Sequence, residues 1–415
     1  MPLPVHGLGR DDVLGQLDAF KANDVRWREG RAFTLAYMAG DDVVAIAEAA
    51  YARFATENAL NTHAFPSLRR IQAEVVDAVG VWLQAGAEGA GFMTSGGTES
   101  ILLVVKAARE RGRKEKGITT PNVVLPTSAH AAFEKACYYF GLESRRIAVR
   151  ADWRADVAAM DAAIDDNTVM VVGSAPQYPQ GVIDPIADIA AIAAARDINC
   201  HVDGCMGGVV LAYLSRLGND IPAWNFAIPG VTSISVDLHK FGYTSKGASV
   251  IMHRNKKLRS YQTYATDNWL GGAYGSSGVL GTKGGGAMAA AWAVMHYLGD
   301  DGYLRVTAAA RRACVQLAAE IDAVPELQLR AQPDTTLLAF GATDPTTLDV
   351  YAVADALWRR GWYLDRQGPP PSLHCTVNAV HDGKIAAFAE DLWAAIAETK
   401  TNGAAGAQGA YGTVD

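Results

Sequence analysis

From residue 92 onward, short apolar runs alternate with helical segments, and this alternation restricts the fold more than any other feature of the sequence. The runs are Val123–Leu125, Val169–Val172, Cys200–Val202, Val231–Ser235 and Ser249–Met252. They are short, rich in β-branched residues and not strictly alternating in polarity, as strands buried on both faces are. Helical segments such as Ile186 to Ala195 separate them. The order predicts an α/β fold: a large, mostly parallel sheet with helices on both sides.

The flanks read differently. Residues 1–57 are mixed and contain an alanine-rich helical stretch, Val43 to Tyr51. After Pro66-Ser67, Ile71, Val75, Val79 and Leu83 recur every four residues, which makes one apolar stripe on a helix. From about residue 299 a helix carrying Arg311 and Arg312 precedes a strand at Thr336–Phe340. A helix at Val350–Arg359, the triple proline Pro369–Pro371 and a last helix near Lys384–Lys400 follow. The expected organisation is an N-terminal segment (1–57), a large domain (58–298) and a smaller C-terminal α+β domain (299–415). The glycine- and alanine-rich tail TNGAAGAQGAYGTVD reads as mobile.

A chain of 415 residues that is 50% hydrophobic can bury a substantial core. Its net charge of −7 argues against a nucleic-acid partner, because phosphate binding needs a basic face. The five cysteines form no C-x-x-C pair, which fits reduced thiols in a cytosolic protein. No apolar run approaches the ~20 residues that span a bilayer, and MPLPVHGLGRDD lacks the apolar core of a secretory signal. The expectation is a soluble, cytoplasmic protein with no metal.

Four segments carry chemistry. Thr94-Ser95-Gly96-Gly97-Thr98-Glu99-Ser100 leads into the helical run ILLVVKAARE. Small residues at a helix start let the backbone approach an anion, although a plain capped helix looks the same. It is neither a P-loop nor a dinucleotide turn. Asp203, in His201-Val202-Asp203-Gly204-Cys205, leaves a strand end, where α/β ligand sites lie. A lone Asp-Gly is more often a turn or a cap. In Ser235-Val236-Asp237-Leu238-His239-Lys240, Lys240 again follows a strand. A lysine there can form an imine with an aldehyde cofactor, and His239 can donate to the cofactor's phosphate, although most single lysines are surface charges. His130 opens a helix after the strand at Val123–Leu125, where an imidazole can stack on a ring; most such histidines are caps. The order of glycine cradle, strand-end aspartate and strand-end His-Lys is what a fold type I pyridoxal 5′-phosphate (PLP) enzyme requires. There the aspartate keeps the pyridine nitrogen protonated, so that the ring acts as an electron sink.

The segments TSGGTES, SAHAAFEKA, GSAPQYPQGVIDPI, HVDGCMGG and DLHKFGYTSKG occur in this order, and the chain resembles the PLP enzyme family of sphingosine-1-phosphate lyase and the amino-acid decarboxylases from about Gly30 to His381, with a trace at Ala410-Tyr411-Gly412. The Asp-x-His-Lys segment with Lys246 six residues after Lys240 is more lyase-like. The resemblance implies an aspartate aminotransferase-like fold with a seven-stranded sheet. It also implies Lys240 as the cofactor's imine partner, Asp203 on the ring nitrogen and His130 on the ring face. Ser95, Gly96, Gly97, Thr98 and His239 would surround the cofactor phosphate. Gly281 and Thr282 would reach it from the partner subunit of a homodimer, with the N-terminal segment at the dimer contact. Tyr37 would act near the reacting centre and, with Lys246, Asn61 and Lys283, would hold the substrate phosphate.

The chain departs from the lyase pattern at several positions, and the segment Gly281-Thr282-Lys283-Gly284-Gly285 stands for the family's Gly-Ser-Arg-Pro-Gly. Asn61 stands where lyases usually carry histidine, His63 where they often carry aspartate, and Lys283 replaces an arginine. Lysine keeps that charge and loses the bidentate fork. The changes bear on the substrate's phosphate, not on the cofactor. The implied reaction is carbon–carbon cleavage of a 2-amino-3-hydroxy sphingoid base phosphate, giving a fatty aldehyde and phosphoethanolamine. The alternatives are an amino-acid decarboxylase, a β-hydroxy amino acid aldolase and a non-catalytic binding protein on the same fold.

Overall fold

A computed structural model describes residues 3–403 and 405–407. Among them, thirteen strands form three sheets. The largest contains β1 (Ala90–Thr94), β2 (Asn122–Pro126), β3 (Glu143–Ile147), β4 (Thr168–Ser174), β5 (Asn199–Asp203), β6 (Ser233–Asp237) and β7 (Ser249–His253), in the spatial order β1-β7-β6-β5-β4-β2-β3. Only β7 runs against its neighbours β1 and β6; the other pairs are parallel. Every residue of β2, β4, β5, β6 and β7 is buried, which is why these strands read as unbroken apolar runs.

In this sheet the sequence reading missed two strands, β1 and β3. β1 contains a glycine and a methionine and has little β-branched character. β3 is the polar edge strand Glu-Ser-Arg-Arg-Ile. Its Arg145 and Arg146 pair with Asp165 and Glu134, so the exposed edge carries charge and not an apolar pattern.

β8 (Tyr264–Thr266) and β9 (Tyr274–Ser276) form an exposed hairpin. β10 (Leu327–Leu329), β11 (Leu337–Ala342), β12 (Asp365–Gln367) and β13 (Ser372–Thr376) form an antiparallel sheet in the order β10-β11-β13-β12. The short β8, β9, β10, β12 and β13 were missed by the sequence reading as well. The helix Gly286–Asp322 joins the two large sheets and breaks at Gly299, whose φ of +58° suits glycine. Met288, Val294 and Leu298 pack into the first core, and Cys314, Leu317 and Ile321 into the core behind the smaller sheet.

The N-terminal segment is divided between these cores. Val43 and Ala47 of helix Asp41–Arg53 join the first. Phe33 enters the second, stacked on His381 and edge-on to Phe388, while Ala32 bridges Tyr363. No local periodicity announces so short a bridge. Of the tail read as mobile, the amides of Gly406 and Ala407 donate to Asp349 and Asp355 of the smaller unit. Ala410-Tyr411-Gly412 lies outside the described residues.

Four buried imidazoles, on His201, His253, His374 and His381, are held near a pKa of about 4 because burial disfavours their charged form. Unfolding restores a value near 6.5 to each, so the unfolded chain binds more protons below that pH. Burial pushes Asp184 up to about 6, and its proton in the folded state offsets part of the effect. Stability should therefore be level above neutrality and fall as pH drops from about 6.5 towards about 4. Each net proton contributes about 1.4 kcal/mol per pH unit. Urea midpoints at three pH values check this; a midpoint that rises on acidification contradicts it.

Candidate active site

One rim of the large sheet collects the motifs. β1 ends at Thr94 opposite Ser249 of β7, and Ser249 in turn faces Asp237 at the end of β6. Asp203 ends β5 beside Ser235, and Ser174 ends β4 beside Asp203. The antiparallel β7 is what brings the cradle after β1 next to the lysine after β6.

The helix Gly97–Lys116 starts at this rim, with its unpaired N–H groups and positive dipole end towards it. The cradle is held from behind. The Glu99 carboxylate accepts the Ser95 amide at 2.6 Å and the Ser95 hydroxyl at 2.7 Å, and its other oxygen accepts the Val279 amide at 2.8 Å. Ser95 is thus tied to the cradle's frame by its own hydroxyl. A Cβ on Gly97 would lie 2.8 Å from Cys205 Sγ and 2.9 Å from the Asp237 carboxylate, so only glycine lets the helix start sit this close to the strand ends.

The Lys240 ammonium lies 2.9 Å from Asp237 Oδ2, and the Ser249 hydroxyl donates to Asp237 Oδ1 at 2.5 Å. Burial alone would lower the Lys240 pKa, but Asp237 outweighs it and holds the amine well above its usual value. Burial would likewise raise Asp237; the Lys240 and His239 charges and the Ser249 bond hold it below the usual range. His239 sits over the cradle: a Cβ on Gly96 would stand 3.7 Å from its Cε1. Its Nδ1 is buried without a protein partner; burial lowers its pKa, and the Asp237 carboxylate opposes that.

Asp203 Oδ1 accepts the Cys205 amide at 3.0 Å and lies 3.3 Å from Ser235 Oγ. His130 accepts the Ala132 amide on Nδ1 at 3.0 Å, which leaves the proton on Nε2. Burial lowers its pKa, and the nearby Asp203 carboxylate opposes that. Tyr37 packs edge-on to Phe241 at 5.4 Å, beneath the Lys246 ammonium, which lies 4.8 Å from its ring centre. Lys246 reaches solvent, yet the surrounding protein and the Lys240 charge press its pKa down to about 8.

Other expected residues lie elsewhere. Gly281 and Thr282 are exposed, and Thr282 Oγ1 accepts from Asn58 at 3.5 Å. Lys283 turns inward: its ammonium donates to the Met93 carbonyl and lies 4.8 Å from the Phe92 ring centre. Asn61 uses its side-chain oxygen on the amides of His63 and Ala64, closing the turn before helix Pro66–Trp82.

An open cleft of about 1040 Å³ leads to His130 between the two sheets. Tyr178 and Asp365 line it, and neither role was read from the sequence. The Tyr178 hydroxyl donates to Asp365 Oδ2 at 2.6 Å, the Thr34 hydroxyl donates to the same oxygen at 2.9 Å, and the Tyr178 ring stacks on His374 at 3.9 Å. Tyr178 lies in the quoted run GSAPQYPQGVIDPI, which was its only signal. Asp365 comes from the smaller sheet, and nothing in sequence couples it to the rim.

These residues fit PLP. The amine of Lys240 is in place for the aldehyde, Asp203 offers a fixed carboxylate for a ring nitrogen, and the His239 ring, with an unpartnered Nδ1, stands beside Gly96 at the helix start where a phosphate belongs.

The comparisons agree. Residues 8–343 match the family model described as the pyridoxal-dependent decarboxylase conserved domain. The chain is 37% identical to sphingosine-1-phosphate lyase 1 of Rattus norvegicus over 96% of its own length and 70% of that chain. It is 38% identical to the sphingosine-1-phosphate lyase of Oryza sativa over 96% of itself and 75% of that protein. The solved sphingosine-1-phosphate lyase of Burkholderia pseudomallei superposes with a TM-score of 0.92 at 37% identity, covering 97% of this chain and 93% of that one. Lactobacillus brevis glutamate decarboxylase shares the fold, with a TM-score of 0.84 at 19% identity over 96% and 95% of the two chains.

Proposed function

Since this chain belongs to the sphingosine-1-phosphate lyase family of pyridoxal-dependent enzymes, we propose that it cleaves a phosphorylated sphingoid base between its amino- and hydroxyl-bearing carbons, releasing a fatty aldehyde and phosphoethanolamine. One observation carries this reading: a single rim gathers the Lys240 amine, the Asp203 carboxylate and the glycine cradle.

When bound, PLP supplies the sink for the electron pair of the breaking carbon–carbon bond. The chain does the rest. The helix start at Gly97 and the His239 imidazole anchor a phosphate. Asp203 would pair with a ring nitrogen and favour its protonated form. His130, lining the cleft, would pack against the ring and help to exclude water. Lys240 would be the residue that holds the cofactor's aldehyde, and its amine, kept in place by Asp237, would also be the chain's group for moving protons. Tyr178, fixed by Asp365 and Thr34, presents a hydroxyl within the cleft by which substrate enters.

The working unit in this reading is a homodimer with shared sites, in the cytoplasm. Three features support the dimer. Helix Arg10–Phe20 buries none of its residues, Trp269 and Leu270 of the hairpin are 61% and 107% exposed, and Gly281 and Thr282 face outward. The five unpaired cysteines accord with a reducing compartment. The substrate phosphate would lie against Lys246 and Tyr37, with Asn61 offering its amide donors, because its side-chain oxygen already accepts the His63 and Ala64 amides.

Holoenzyme should be incubated with phosphorylated and unphosphorylated sphingoid bases, and separately with α-amino acids. Aldehyde should appear from the phosphorylated base at a kcat/KM at least about tenfold above that of the unphosphorylated one, the effect of roughly one charge-assisted contact. Carbon dioxide from an amino acid, with no aldehyde from any base, would overturn the reading.

A further inference from the structure

Four polar side chains form a square on one buried face of the large sheet. His201 and Asp203 are two residues apart on β5, and Ser233 and Ser235 two apart on β6, so each pair points to a single face. The register sets His201 beside Ser233 and Asp203 beside Ser235. His201 and Ser235 are fully buried, Ser233 is 1% exposed and Asp203 8%. Polar groups placed among Phe133, Val172 and Ile251 on that face are costly unless their hydrogen bonds close.

They close in one consistent sense. The Asp203 carboxylate can only accept, so Ser235 spends its hydrogen there and must accept from His201 Nε2; His201 Nδ1, 2.9 Å from the Ser233 hydroxyl, is then the acceptor. The proton of the neutral ring is then on Nε2, 3.3 Å from Ser235 Oγ. Having accepted there, Ser235 turns its own hydrogen to Asp203 Oδ1, also at 3.3 Å. The chain runs Ser233 to His201 to Ser235 to Asp203, and every donor points towards the carboxylate. The Cys205 amide, at 3.0 Å from the same oxygen, completes its fixing. Phe133, edge-on at 5.9 Å, holds the imidazole against rotation.

We propose that His201, acting through Ser235, is a positioning residue: it fixes Asp203 as an oriented carboxylate facing the cofactor's ring nitrogen. The inference rests on the PLP reading above and concerns only this chain's residues behind Asp203. A satisfied core histidine with no further role would make the same contacts, so the test must read the ring nitrogen itself.

The experiment compares wild type, Ser235→Ala, Ser235→Thr and His201→Phe, each reconstituted with PLP labelled with nitrogen-15 in the ring. It reads the ring nitrogen's chemical shift and the cofactor dissociation constant, with circular dichroism to verify folding. Wild type should show a protonated ring nitrogen. Ser235→Ala and His201→Phe should move the shift towards the neutral form and weaken cofactor binding by roughly tenfold, the loss of about one hydrogen bond to a charged group. Ser235→Thr keeps the hydroxyl on a strand that accepts β-branched residues, and should return both readouts to within about twofold of wild type. Should His201→Phe fail to fold, the serine pair decides alone. Unmoved shift and affinity in Ser235→Ala overturn the relay while wild-type uptake leaves the cofactor reading standing. A wild type that takes up no PLP overturns both.

Discussion

Lys240→Ala should abolish covalent attachment of the cofactor and lower kcat by at least about three orders of magnitude. The amine has two duties, as the imine partner and as a proton carrier once substrate displaces it, and the second alone is worth roughly 10²–10⁴-fold. The check is borohydride reduction followed by peptide mass analysis: wild type should carry the pyridoxyl mass on the Lys240 peptide, and the variant should carry none. A folding control is needed, because alanine also strips the buried Asp237 of its cation at 2.9 Å. Lys240→Gln answers it. The glutamine amide can still donate towards Asp237 but cannot form an imine, so it should restore thermal stability without restoring label or turnover. Label found on another lysine, such as Lys246, in wild type would displace Lys240 from the centre of the mechanism.

Sequence was most informative where both faces of an element are buried. β2, β4, β5, β6 and β7 lie in apolar surroundings on both sides, so their residues show it. β3 at the polar edge and the glycine-containing β1 show nothing of the kind. Within the site, residues at strand ends next to a glycine turn were legible: Asp203, His239, Lys240 and the cradle from Ser95 to Thr98. Asp237 was quoted in the same run and given no role, because its value lies in an ion pair with a lysine three residues on. Glu99 and Asp365 act across the chain, on Val279 and Tyr178 respectively, and local pattern holds no trace of such contacts. Lys283 shows the converse. It stands where the family carries an arginine, and the resemblance implied a phosphate ligand; in this chain its ammonium is engaged by the Met93 carbonyl, and burial lowers its pKa to about 8. The sequence carries the charge but not the rotamer.

Asp203→Asn should leave the imine at Lys240 intact and slow turnover by roughly two orders of magnitude or more. Asparagine is nearly the same shape, so the Cys205 amide and the Ser235 hydroxyl can still meet its carbonyl oxygen. What disappears is the negative charge that keeps the ring nitrogen protonated. Breaking a buried ion pair by neutralising one partner costs about 3 kcal/mol or more, and 1.4 kcal/mol is a factor of ten in rate when the loss falls on the transition state. It does fall there, because electron density reaches the ring nitrogen only as the carbon–carbon bond breaks. Hence kcat should fall with little change in KM, whereas a residue that merely binds substrate would raise KM. Ser235→Ala and His201→Phe, which leave the charge in place and disturb only its aim, should fall between wild type and Asp203→Asn. That ranking ties the buried square on β5 and β6 to the chemistry. If Asp203→Asn lost its cofactor label altogether, Asp203 would be a binding residue first and the electron-sink role would have to be assigned elsewhere.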